Sequence, residues 1–276
     1  MERGDASSTN ADWMSQLPEE LWGTPLWDLA IPGSHDSMSY CLDTHSPVLG
    51  SESFMLQFLD RLAPCIVRPC VYRWATTQAW CIPDQLDAGI RFFDLRIAHK
   101  NIKNTQDFLK THNTDDTLYF AHAIYTLQTV KETPYLSQCW DLGQQVIISY
   151  DDETILHQHK ELWPKIPYWY ADSADPKEVI SYLEEQQKAQ GRAAHFFTSG
   201  LNLTEDTAVV VCNPCLTMRK LTMKSFSLLL DWVEKQTPGP NQTAVNIICG
   251  DFVGLNHFAS VVIGLNKKLL KTQSHR

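Results

Sequence analysis

No apolar run in this 276-residue chain approaches the about 18 to 20 residues that a helix needs to cross a bilayer, so a transmembrane helix is not expected. Residues 1–12 are too polar for a secretory signal, Glu2 replaces the Met-Gly start that myristoylation requires, and the ending Gln273-Ser274-His275-Arg276 is no prenylation box. The expected location is cytoplasmic or nuclear, without a lipid anchor. Basic charge is also scarce: 23 Lys and Arg stand against 32 Asp and Glu, a formal net charge of -9. That balance argues against a nucleic-acid partner and against general attraction to an anionic membrane, so any lipid contact has to be local. Internal repeats and low-complexity tracts are missing too, which leaves a single domain over 13–270 between polar tails, 1–12 and 271–276. Eight cysteines are scattered along the chain and are expected as free thiols in a reducing compartment. Cys212-Asn213-Pro214-Cys215 has the spacing of half a zinc site, but no second Cys or His pair follows it, and we assign no metal there.

What is present is enough apolar material for a sizeable core, 43% hydrophobic residues with 11% aromatic. Short apolar runs at Leu26 to Ile31, Gly89 to Ala98, Leu118 to Leu127, Gln145 to Tyr150, His195 to Leu201 and Val245 to Cys249 read as strands. Amphipathic stretches at Ser51 to Leu62, Pro176 to Gln190, Lys220 to Gln236 and His257 to Leu270 read as helices, with Pro176 suited to a first turn and Gly191 to a stop. The alternation predicts an α/β fold with a mainly parallel sheet, open or closed into a barrel.

Polar residues gather where these strands end. Pro32-Gly33 reads as a turn before His35-Asp36, His122 interrupts the run Leu118 to Leu127, and Asp251 follows Gly250. In Ile90 to Ile97 the residues Phe93, Leu95 and Ile97 share one face of a strand and Asp94 and Arg96 the other, so this Asp and Arg either pair or serve a polar ligand. Ligand sites in parallel α/β folds lie outside the carboxyl ends of strands, which makes these the expected places for chemistry.

Pro32-Gly33-Ser34-His35-Asp36-Ser37-Met38, Asp87-Ala88-Gly89-Ile90-Arg91-Phe92-Phe93-Asp94-Leu95-Arg96, Phe120-Ala121-His122 and Gly250-Asp251-Phe252 resemble, in order, the motifs of the phosphatidylinositol-specific phospholipase C X domain. The likeness is greatest to small X-domain-only proteins and covers roughly Trp13 to Leu270. It implies a distorted (β/α) barrel that cleaves phosphatidylinositol to diacylglycerol and a cyclic inositol phosphate. It also implies that His35 is the general base on the inositol 2-hydroxyl, His122 the general acid on the diacylglycerol oxygen, and Asp251 the carboxylate that orients His35. Asp36 would support His122 or the leaving group. Histidine suits proton transfer because its pKa lies close to working pH. Large calcium-dependent members of the family carry Asn where this chain has Asp36 and a carboxylate ligand where it has Arg96. Arg96, fixed by Asp94, would itself supply the positive charge, so no cofactor and no metal is expected.

The resemblance breaks after His122. The run 128–144, interrupted by Pro134, can make one crossover, for which ~10 to 12 residues suffice, but not the further buried strand between two helices that the family pattern implies there. The expected fold is therefore a barrel lacking one strand and its flanking helices, with an internal deletion after Leu127. This sets a metal-independent phosphodiesterase against a catalytically silent variant that at most binds an inositol phosphate or a partner. A metal-dependent glycerophosphodiesterase is disfavoured, because no acidic cluster replaces Arg96. Finally, Leu162 to Tyr170 packs four aromatics and two prolines into one stretch. It reads either as a rigid loop capping the core or as a peripheral membrane contact through Trp163 and Trp169.

Overall fold

The computed structural model describes residues 10–48, 53–96, 133–157, 159, 162–190, 196–205, 210 and 216–273. Five strands, β1 (Ile31–Ser34), β2 (Phe92–Phe93), β3 (Tyr168–Trp169), β4 (Thr198–Gly200) and β5 (Ile247–Gly250), form one parallel sheet in the order β2-β1-β5-β4-β3. Followed as a ring, that order is the order of the sequence, with the last strand laid against the first. A doubly wound sheet reverses direction at a switch point, whereas this one runs round as a barrel does. The ring is open, among the described residues, between β2 and β3.

Helices α1 (Phe54–Leu62), α2 (Pro64–Ala75), α3 (Ile82–Asp87), α4 (Leu136–Asp141), α5 (Glu153–Leu156), α6 (Pro176–Gln190), α7 (Met218–Lys235), α8 (Phe258–Leu265) and α9 (Lys267–Gln273) accompany the strands. Helix α6 starts at Pro176, whose fixed φ suits a first turn, and buries Val179, Leu183 and Gln187, spaced four apart. The Thr217 hydroxyl caps α7 by accepting from the Lys220 amide at 3.2 Å. Both faces of the sheet are buried, as its parallel strands require. Phe197 and Ile248 point into a core with Val179 and Leu183 of α6, Trp232 of α7 and Val262 of α8. Their neighbours Phe196 and Ile247 join Trp13, Leu21, Leu29 and Trp163 on the other side.

Several expectations need correction. The run Leu26–Asp28 is a 3-10 turn, because Asn246 Nδ2 donates to the carbonyls of Leu26 and Leu29 and delays the strand until Ile31. Pro32 and Gly33 thus lie inside β1 instead of forming a turn. A Cβ on Gly33 would stand 2.9 Å from Phe92 Cδ1 and 3.2 Å from Cys249 Sγ, so the glycine lets β2 and β5 close on β1. Strand β2 ends at Phe93, so Asp94 and Arg96 lie past it and Leu95 is exposed, yet the two charged side chains still pair, as expected. The segment Gln145 to Tyr150 forms no continuous strand among the described residues but isolated bridges at Val146 and Ser149, the latter parallel to Trp163. Helix His257 to Leu270 breaks at Asn266, whose side chain accepts from the Ala30 amide and donates to the Ala30 carbonyl.

Trp163 and Trp169 belong to the core, which overturns the lipid contact through them. Their exposures are 6% and 7%. Trp169 lies in β3 with its ring 4.8 Å from Phe197, and Trp163 meets Phe196 edge-on at 6.0 Å. The expected strand Leu118 to Leu127 with His122, and the pair Cys212 and Cys215, lie outside the described residues.

Candidate active site

Parallel pairing brings the carboxyl ends of three strands together. Ser34, the last residue of β1, is in register with Gly250 of β5 and Phe93 of β2. The residues that follow, His35, Asp251 and Asp94, therefore emerge side by side. His35 Nδ1 is 2.8 Å from Asp251 Oδ1. Asp94 Oδ2 accepts from the Asp36 amide at 3.2 Å and from Arg96 Nη2 at 3.1 Å. Arg96 Nε is 2.5 Å from Asp36 Oδ1, and Arg96 Nη2 is 3.1 Å from His35 Nε2. A guanidinium can only donate, so neutral His35 accepts at Nε2 and carries its proton on Nδ1, where it donates to Asp251. The basic nitrogen thus faces the arginine, and the carboxylate stands behind the ring.

Backbone strain sits at the same two strand ends. Asp36 has φ 42° and Phe252 has φ 51°, left-handed conformations that side-chain-bearing residues avoid, and each immediately follows His35 or Asp251. The segment Thr77-Gln78 holds both turns. Gln78 Nε2 donates to the carbonyls of His35 (2.8 Å) and Gly250 (3.0 Å), and its Oε1 accepts from the Val253 amide (3.3 Å). Thr77 Oγ1 donates to the His35 carbonyl, while the Thr77 carbonyl accepts from the Phe252 amide at 2.6 Å. Ser39 Oγ accepts from the amides of both Thr77 and Gln78. Sequence reasoning missed this clamp, since a Thr-Thr-Gln run reads as an ordinary loop. It also missed Tyr168, whose ring lies 6.2 Å from that of His35 and whose hydroxyl donates to Asn202 Oδ1 at 3.0 Å.

The charges are strongly coupled. Burial works against an ionised His35, but the Asp251 and Asp36 carboxylates outweigh it and raise the imidazole pKa above its ordinary 6.5, with Arg96 opposing. Asp36 is raised by burial, partly offset by His35 and Arg96. Burial would lower the pKa of Arg96, but the carboxylates of Asp36 and Asp94 raise it, so it stays charged. Burial and the neighbouring Cys249 push the Tyr168 phenol well above its usual range. Ligand atoms of His35, Asp36 and Asp94 lie within 4.8 Å of one another, near enough for a metal on distance alone. Arg96 already spans both carboxylates, so a cation drawn there would meet its guanidinium.

No family model matches the sequence. Among curated proteins, the chain is 45% identical to the PI-PLC X domain-containing protein 1 of Danio rerio, over 93% of this chain and 96% of the relative. It is 38% identical to the Homo sapiens protein of the same name, over 95% and 94%. The alignment to the Danio rerio protein runs over 310 residues, more than the 276 of this chain, so it includes positions with no counterpart here. Among solved structures, an S. aureus phosphatidylinositol-specific phospholipase C, studied for modulation of its membrane binding, superposes with TM-score 0.57 at 13% identity, covering 94% of this chain and 98% of that one. That likeness is one of fold, and it agrees with the distorted barrel order of the sheet.

Proposed function

The chain belongs to the PI-PLC X domain-containing family, and from that premise we propose that it is a phosphodiesterase cleaving phosphatidylinositol by general acid and base catalysis without a metal. The observation that carries the proposal is the pair His35 Nδ1 to Asp251 Oδ1 at 2.8 Å, which holds the ring proton on Nδ1 and leaves the lone pair on Nε2, the nitrogen that faces Arg96, to act as base. In this reading Nε2 takes the proton of the inositol 2-hydroxyl as that oxygen bonds to phosphorus. Asp251 stabilises the imidazolium that results, as a buried carboxylate does behind a hydrolase histidine. Arg96, within reach of Nε2, places its charge on the phosphate oxygens as they gain electron density, and Asp36 and Asp94 hold the guanidinium in place. The bond from phosphorus to the diacylglycerol oxygen then breaks, and His122 supplies the proton to that oxygen. The nucleophile belongs to the substrate, so no activated Ser or Cys is required.

The test is turnover of phosphatidylinositol by pure protein, with circular dichroism as the folding control. His35→Ala and His122→Ala should each lower the rate by ~10² to 10⁴ fold with the fold intact, and chelation of calcium and magnesium should leave the wild-type rate unchanged. Wild-type rates in either variant would overturn the assignment, as would loss of activity on chelation with rescue by calcium. A second reading, a catalytically silent variant, is favoured by the aligned positions of the Danio rerio protein that this chain lacks. Absence of turnover by folded wild-type protein would establish it in place of the first.

A further inference from the structure

In α1 the usual relation between polarity and burial is inverted. The buried residue of the helix is Asp60, paired with Arg68 of α2 through Nε at 2.7 Å. Its apolar residues Phe54, Met55, Phe58 and Leu62 are 82%, 59%, 50% and 66% exposed, and Ile66 of α2 is 71% exposed. Phe54, Phe58 and Leu62 follow one another four residues apart, so they form a single stripe, and the two phenyl rings stack at 6.4 Å. By contrast α6 and α7 turn their apolar residues inward. A contiguous apolar stripe facing water marks an interaction surface.

Charge indicates what covers it. Residues 53–75 carry Arg61, Arg68 and Arg73 against a single Asp60, a basic segment in a chain of net charge -9. Arg68 and Asp60 neutralise each other, while Arg61 and Arg73 are exposed. The segment is also anchored beside the candidate site. Arg68 bonds the carbonyl of His45 in the loop that leaves His35, and Trp74 at the end of α2 packs with Phe252, next to Asp251. Thr77 and Gln78, which hold both catalytic turns, follow directly. An apolar stripe flanked by arginines is the pattern of a helix lying in a bilayer surface, with its rings among the acyl chains and its cations at the headgroups.

We propose that α1 and the first turn of α2 dock the protein on an anionic phospholipid bilayer. The proposal rests on the reading of the neighbouring site as one that acts on a membrane lipid, and it adds the surface that brings the site to that lipid. The test uses the full chain and vesicles of phosphatidylcholine, alone or mixed with phosphatidylserine, followed by sedimentation. Inositol lipid is left out, so failure here says nothing against the phosphodiesterase, and an inactive enzyme says nothing against docking. The wild-type protein should bind the mixed vesicles more tightly than phosphatidylcholine alone. Phe54→Ser/Phe58→Ser should weaken binding by about tenfold or more with an unchanged melting temperature. Arg61→Glu should weaken binding to the mixed vesicles alone. Equal binding by wild type and double variant, or no binding by wild type, would overturn the proposal. A lowered melting temperature in the double variant would show that the chain's own residues cover the stripe. A wild-type dimer that the variant splits would assign the stripe to a second copy, and either result overturns bilayer docking.

Discussion

A buried imidazole between two carboxylates and a guanidinium has its charge state set by which neighbour wins, and at His35 the carboxylates do. The raised pKa has a definite sign in the rate. A general base must be neutral, so kcat/KM should fall on the acid side through a value above the ordinary 6.5. Asp251→Asn removes the main group holding the proton on and leaves burial, which favours the neutral ring. The acid limb should therefore move to lower pH while the plateau rate drops, because Asn cannot stabilise the imidazolium. Stability follows the same sign: protonated His35 favours the fold below pH 6.5, and that contribution is lost as pH rises through the raised value. A limb that stays put or moves upward in Asp251→Asn would refute the pairing as a determinant of His35. Gln78 touches neither imidazole nor carboxylate, yet it bonds the carbonyls of His35 and Gly250 at once. Gln78→Met keeps the volume and removes both bonds. Because misplacement by ~1 Å can cost about 10² fold, kcat should fall ~10 to 10² fold with little change in KM, and the acid limb should shift as His35 and Asp251 part. A purely structural Gln78 would lower the melting temperature and leave the pH profile alone.

At the scale of elements, position in the sheet overrides composition. The stretch Leu162 to Tyr170 has the aromatics and prolines of an interfacial loop, but its Tyr168 and Trp169 form β3, and Trp169 packs on Phe197, the residue before β4. Trp169→Ala should accordingly cost ~3 to 5 kcal/mol in urea unfolding, with vesicle binding unaffected under conditions where the variant stays folded. Stability unchanged within error would return this segment to the surface. The two kinds of apolar surface differ only in what they face, and a sequence does not record that. An amphipathic stripe such as Phe54, Phe58 and Leu62 reads the same whether it turns to a core or to a membrane. The helices α6 and α7 and the apolar cores of β4 and β5 were legible because period and burial coincide there. His35 and Asp251 were legible as polar residues just past apolar runs, where a parallel sheet gathers them, whereas Asp94 and Arg96 were read inside a strand and their place at the site came from the family resemblance. The clamp of Thr77 and Gln78 was not, since its bonds run to backbone carbonyls, which every residue possesses. Nor were the short β2 and β3, each two residues long, whose pairing is fixed by neighbours and not by local pattern.

The whole molecule is organised by the ring order of its strands, and the ring's opening lies between β2 and β3, among the described residues. That interval contains Leu127, after which the family resemblance leads one to expect an internal deletion, and the alignment to the Danio rerio relative includes positions with no counterpart in this chain. A ring short of one strand either lets its neighbours pair directly, which shrinks the barrel, or leaves sheet edges without partners. Each buried amide or carbonyl left unpaired costs ~1 to 3 kcal/mol, against the ~5 to 15 kcal/mol that holds a whole domain together. The site would suffer as well as the fold, because the carboxyl ends of β1, β2 and β5 are held in register by the sheet that carries them. A full-length relative's segment inserted after Leu127 should therefore raise both the melting temperature and the specific activity toward phosphatidylinositol well above those of the native chain. The comparison is made on the two proteins side by side, with identical vesicles and scan rates. If both melt at the same temperature and turn over at the same rate, the segment is dispensable and the shortened ring closes by itself.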